Sequence, residues 1–149
     1  MLRSSLLHPQ ILSALGRAGH GSRILIADGN FPASTTLGPR AELVSLNLSP
    51  GVVGCLPVLD ALLSAVPIEG AAVMAYATEG PYALSEAPPI WPEFEARLKA
   101  AGAPGELTPI ERHRFYERAA APDVALVVQT AETAIYANLL LTIGVVHPR

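Results

Sequence analysis

His20 is the residue in this chain best suited to moving protons near neutrality. Glycines at 19 and 21 leave it conformationally free and reachable, and an imidazole can both give and take a proton in that range. A lone histidine fits a structural role as well. Eight residues later Asp28 opens the turn Asp28-Gly29-Asn30, directly after the apolar run Ile24-Leu25-Ile26-Ala27. A carboxylate at the carboxyl end of a buried strand is either a ligand contact or an Asx turn. Arg112 and Arg114 stand beside Tyr116 and Glu117, as a binding cluster or as a solvated helix face with ion pairs. Tyr136 and Asn138 precede another apolar run, and Glu79 lies in a loop. Each of these is open to plain turn chemistry.

The elements that must hold these residues are legible from periodicity. Pro9 followed by Ile11, Leu12, Leu15 and Ala18 predicts a helix over 8–18. Gly19 ends it, and Ile24–Ala27 is a strand of the length and composition expected when both faces are covered. Further strands are expected at Leu43–Leu48, Ala71–Tyr76, Val124–Val128 and Leu139–Val145. Between them come a helix with Pro57 in its first turn, a helix over 92–101, and another over 109–119 that carries Arg112 and Tyr116. Alternation of strands and helices makes the class α/β, a three-layer Rossmann-like arrangement on a mostly parallel central sheet. Residues 1–149 read as a single domain, without an internal repeat or linker. A strand of about six residues spans roughly 20 Å. His20 and Asp28 lie at opposite ends of one, so a site that uses both calls for a neighbouring subunit.

Composition narrows the classes of function. The chain is 50% hydrophobic and 15% charged, with a net charge of −3, and Lys99 is its only lysine. That balance forms a globular core and argues against a nucleic-acid partner. Cys55 is alone, so it has no disulfide partner within the chain, and the four His have no metal-ligand spacing with it or with one another. No phosphate-binding glycine fingerprint and no Gly-x-Ser-x-Gly nucleophile motif occurs. Met1-Leu2-Arg3-Ser4-Ser5 does not open a signal peptide, and no apolar run approaches the roughly 20 residues that span a bilayer. The expectation is a cytoplasmic protein with no membrane partner.

Four pieces occur in order: Gly19-His20-Gly21, then Asp28-x-x-Phe31-Pro32-Ala33, then Arg112-x-x-Phe115-Tyr116-Glu117-Arg118-Ala119, then Tyr136-Ala137-Asn138. The series resembles the D-ribose pyranase and L-fucose mutarotase (RbsD/FucU) family, over nearly the whole chain. Phe31-Pro32-Ala33 and the Phe-Tyr-Glu-Arg-Ala run look like the fucose branch, whereas Tyr136-Ala137-Asn138 reads like the ribose branch. Asn30 stands where fucose-type members commonly carry His, and Thr130-Ala131-Glu132 where Thr-Gly-Glu is usual.

The resemblance implies an RbsD-like fold and a cofactor-free isomerase that interconverts anomers or ring forms of a free monosaccharide. It also implies a ring-shaped homo-oligomer, commonly a decamer, with sites near subunit contacts. His20 matches the catalytic proton donor. Asp28, Arg112, Tyr136 and Asn138 match sugar-binding positions, and Tyr116 and Glu79 are secondary candidates for substrate contact or general base. L-fucose or a related sugar is the expected substrate. The alternatives are D-ribose, a sugar-binding or transport-accessory protein without turnover, and a nucleotide-binding regulator.

Overall fold

A computed structural model describes residues 1–148. Its elements run α1 (Pro9–Arg17), β1 (Arg23–Ala27), β2 (Glu42–Ser45), α2 (Cys55–Leu63), β3 (Ile68–Met74), α3 (Ile90–Ala100), β4 (Thr108–Ile110), α4 (Arg112–Ala119), β5 (Val124–Gln129) and β6 (Leu139–Ile143). Among the described residues the strands form one six-stranded sheet in the order β2-β5-β1-β6-β3-β4. β1 and β2 pair in parallel with β5, and β3 with β4, whereas β6 runs antiparallel between β1 and β3. All strands but β6 therefore point the same way, which is the mostly parallel sheet expected from the alternation.

Side chains alternate across a strand, and here that sorts the core into two layers. Ile24 and Ile26 of β1 face a cluster that includes Ile11 and Leu15 of α1, Leu59 and Leu62 of α2, and Phe94 and Leu98 of α3. Leu25 and Ala27 face the other side, where Phe115 and Ala119 of α4 pack with Phe31 and Val127. Three helices on one face and one on the other make the three layers.

Several expected elements differ in their bounds from the structure. The strand expected at Leu43–Leu48 is Glu42–Ser45, its end giving way to the turn bridged by Ser49 and Val52. The strand expected at Ala71–Tyr76 is Ile68–Met74, because its pairing with β6 begins at Ile68 opposite Ile143. The helix predicted over 109–119 begins only at Arg112, because Thr108-Pro109-Ile110 is an edge strand in register with Ala72–Met74 of β3. A proline is tolerated there because an edge strand need not donate on its outer side. Glu111 then caps α4, its carboxylate accepting from His113 N at 3.0 Å and Arg114 N at 3.1 Å. The last strand stops at Ile143 and not Val145, since Gly144 N turns away to donate to Pro67 O at 2.9 Å.

Topology decides which residues meet. The carboxyl ends of β1, β3 and β4 lie at one end of the sheet, together with the amino end of the reversed strand β6. Residues just after β1, just after β4 and just before β6 therefore converge. The segments before β1, at the start of β3 and after β6 gather at the opposite end.

Candidate functional site

Asp28 lies at the floor of the convergence, only 3% exposed. Its Oδ1 accepts from Asn30 N at 3.0 Å, and its Oδ2 from Ala137 N at 3.2 Å and Asn138 Nδ2 at 3.1 Å. Asn138 returns the contact, its Oδ1 accepting from Asp28 N at 2.8 Å. Burial raises the Asp28 pKa above its ordinary value, against the pull of the N–H groups of Asn30, Ala137 and Phe31. Three hydrogen bonds thus reach the carboxylate, and Asp28 also lines the pocket described below.

Tyr136 adopts a φ of 57°, the left-handed region that a bulky residue rarely enters. Such a backbone costs of order 1–3 kcal/mol and persists where its surroundings over-determine it. Trp91 Nε1 donates to Tyr136 O at 2.9 Å, and Tyr136 Oη donates to Tyr82 O at 2.9 Å. The strained residue is therefore clamped from α3 and from the 76–89 loop, and the following two residues are delivered to Asp28.

These groups border a pocket of about 350 Å³, at the small end of the roughly 300–1,000 Å³ found for ligand sites. Asp28, Asn30, Asn138 and Arg112 supply polar groups, and Phe31, Met74 and Ile135 supply an apolar wall. Tyr116 stacks on Phe31 at 5.5 Å between ring centroids, and the Arg112 guanidinium lies 5.8 Å from the Tyr116 ring centre. Among the described residues no carboxylate is within ion-pair distance of Arg112, which lines this pocket and the hollow beside it. Glu79 stands in an adjoining hollow that also touches Arg112, Tyr82 and Tyr136.

The sequence candidates thus divide. Asp28, Arg112, Tyr116, Tyr136 and Asn138 come together in one pocket and Glu79 beside it. His20 does not join them, being at the opposite end of β1, where its Nε2 lies 3.0 Å from Glu69 Oε2. Among the described residues no group of three or more His, Cys, Asp or Glu could hold a metal ion, and no helix is long and apolar enough to cross a membrane. Sequence reasoning missed several supports. Gln129 Nε2 donates to Asp28 O at 2.6 Å, and Thr130 Oγ1 donates to Ala27 O at 2.7 Å. Glu132 Oε2 accepts from Cys55 N at 3.1 Å and so caps α2 from a distance. Their signal was the Thr130-Ala131-Glu132 run, but its partners lie far away in the chain. The Cys55 thiol, buried behind this brace, is pushed up to about 12 by desolvation.

Residues 1–146 match the family described as RbsD / FucU transport proteins. The chain belongs to that family. Human fucose mutarotase is 37% identical over 151 residues, covering 95% of this chain and 90% of its own. A fucose mutarotase from Streptococcus pneumoniae, solved in complex with L-fucose, superposes with a TM-score of 0.79 at 27% identity, over 94% of both chains. Bacillus subtilis RbsD complexed with D-ribose has the same fold, with a TM-score of 0.73 at 21% identity, over 99% of this chain and all of that one. RbsD/FucU membership thus agrees with the four motifs read in order along the sequence.

Proposed function

We propose that the protein is a cofactor-free sugar mutarotase that interconverts the anomers of L-fucose or a closely related sugar. The observation that carries this reading is the Asp28–Asn138 pair at the floor of a small pocket that Arg112 also lines, with no ion-pair partner among the described residues. Ionised and amide groups of this kind bind sugar hydroxyls through directed hydrogen bonds. The facing wall of Phe31, Met74 and Ile135 favours a sugar with an apolar corner, as the methyl group of a 6-deoxy sugar provides. Similarity to fucose mutarotases supports the same substrate class.

Opening a cyclic hemiacetal requires a proton on the ring oxygen and loss of the anomeric hydroxyl proton. Closure on the other face reverses both transfers. In this reading His20 supplies the ring-oxygen proton, while Asp28, Arg112, Tyr136 and Asn138 hold the sugar. Tyr116 borders the pocket and contacts substrate, and Glu79, in the adjoining hollow, is the more distant candidate. Mutarotation proceeds unaided in water, so the roughly 10²–10⁴-fold supplied by general acid–base catalysis suffices without a metal or covalent intermediate. Because His20 lies at the far end of β1, it serves the pocket of a neighbouring copy, within a ring-shaped homo-oligomer such as a decamer in the cytoplasm.

Saturation-transfer NMR on the anomeric protons of L-fucose, D-ribose and D-galactose tests the reading. Wild-type protein is expected to accelerate exchange, most strongly for L-fucose, and His20→Ala to abolish the acceleration while sugar binding survives. Fastest turnover of D-ribose would move the protein to the pyranase branch. Absence of exchange above buffer for all three sugars would leave a binding protein without turnover.

A further inference from the structure

The turn after β1 has a second side. Asp28 lines the pocket described above, Gly29 lines a separate cleft of about 440 Å³, and Asn30 lines both. Phe31 N donates to Asp28 O at 3.2 Å, which makes residues 28–31 a β-turn, and such a turn brings its ends within about 7 Å. Pocket and cleft are therefore separated by the width of a single turn. At Gly29 the partition is bare backbone, packed so closely on Glu132 that a Cβ would lie 2.9 Å from its carbonyl oxygen.

Backbone bonds fix the outer wall of the cleft. Leu46 N donates to Gln129 O at 2.8 Å, Gly51 N to Ala131 O at 2.7 Å, and Ala131 N to Val53 O at 2.8 Å. A bond from Leu48 N to Val52 O at 2.7 Å closes the loop on itself. A wall held this way loses little freedom when a ligand binds.

The side chains of the cleft define the ligand class. Glu132 carries the one charge among the residues that line it. Both of its carboxylate oxygens are engaged, Oε1 by Ala134 N at 3.0 Å and Oε2 by Cys55 N at 3.1 Å. The Thr130 hydroxyl donates to Ala27 O at 2.7 Å and accepts from Glu132 N at 3.2 Å. What remains for a ligand are the amides of Asn30 and Asn47 and the hydroxyls of Ser49 and Thr133. All four both donate and accept, as sugar hydroxyls do, and an ionic ligand would find no counter-charge among them. Leu48, 83% exposed beside them, offers an apolar surface to the C–H groups of a ring.

We propose that the cleft is a second sugar subsite, so that the protein takes neutral reducing disaccharides, with the reducing ring in the Asp28 pocket and the second ring in the cleft. The proposal rests on the mutarotase reading. The anomeric carbon that opens is that of the ring in the pocket, so the second ring is joined through another of its hydroxyls. Asn30, common to both cavities, borders the link. Ring opening and closure proceed as for the monosaccharide, and the glycosidic bond stays intact.

The test is saturation-transfer kinetics on the whole chain with L-fucose and with three disaccharides that carry a glucopyranosyl ring on O2, O3 or O4 of L-fucose. At least one of the three is expected to exchange at its reducing end with a kcat/KM equal to or above that of L-fucose. Asn47→Ala should raise KM for that disaccharide roughly fivefold, the equivalent of one hydrogen bond. Ser49→Trp, whose ring occupies the cleft, should remove most of the disaccharide exchange. Both variants should keep L-fucose exchange within about twofold of wild type, which also shows that they fold. A kcat/KM below that of L-fucose for all three disaccharides, or disaccharide exchange indifferent to both variants, would overturn the proposal. Wild type inactive on L-fucose as well would fail the mutarotase reading, and calorimetric titration then decides the subsite. Tighter binding of a disaccharide than of L-fucose, weakened in Asn47→Ala, upholds the cleft, and equal or weaker binding overturns it.

Discussion

Asp28 carries a charge that the fold both shields and satisfies, and the balance has a measurable sign. Burial is the largest influence and lifts its pKa above the ordinary 3.8. The folded protein therefore keeps a proton there that the unfolded chain has released. Its contribution to stability is fully present below about 3.8, falls as pH rises from there to the raised folded value, and is constant above. Urea midpoints across this acid range, wild type minus Asp28→Asn, should slope downward with rising pH; a flat or rising difference would contradict the direction. Sugar affinity should change in the opposite sense, growing as the carboxylate ionises and can accept a hydroxyl. Asp28 and Asn138 were legible as candidates because their types and strand-end positions suggest binding. Their mutual bonds were not legible, since the two stand 110 residues apart. Glu69 left no trace in the sequence for the same reason, because only the pairing of β6 brings it to His20.

The turn after β1 shows what an element must do to place such residues. Gly29 N donates to Glu132 O at 2.9 Å, and a Cβ at position 29 would lie 2.9 Å from that same oxygen. Glu132 cannot simply retreat, because its carboxylate holds Cys55 N at 3.1 Å and Ala134 N at 3.0 Å. Gly29→Ala is expected to destabilise the protein by about 1–3 kcal/mol, the usual range for overpacking. It should also slow exchange further than the stability loss accounts for, because the displaced turn carries Asp28 and Asn30. Chemical denaturation paired with exchange rates at a temperature where the variant is fully folded checks both parts. Elements with continuous apolar runs, β1 and β5 above all, were readable along the sequence. β4 was not, because three residues containing a proline are compatible with a helix start and only pairing with β3 makes them a strand. The reversed direction of β6 was equally hidden, since alternation fixes faces and not polarity.

For the molecule as a whole, the separation of His20 from the pocket is a statement about assembly. One chain holds His20 at one end of its sheet and the Asp28 pocket at the other, so the proposed reaction needs the His20 end of one copy against the pocket end of the next. A contact between unlike surfaces is heterologous, and when its rotation closes it generates a ring. Light scattering should accordingly report a multiple of the 15.6 kDa chain mass, ten-fold for the decamer. The sharper prediction concerns two inactive variants, His20→Ala and Asp28→Ala. If each site draws His20 from one copy and Asp28 from another, unfolding and refolding the two together at equal amounts lets some sites assemble with both wild-type halves. About a quarter of the sites should then regain activity under random mixing. A site contained within one chain would give no recovery at any ratio, because every chain in the mixture lacks one of the two groups. Recovery that follows the product of the two fractions as the ratio varies would locate the catalytic unit at the contact between chains.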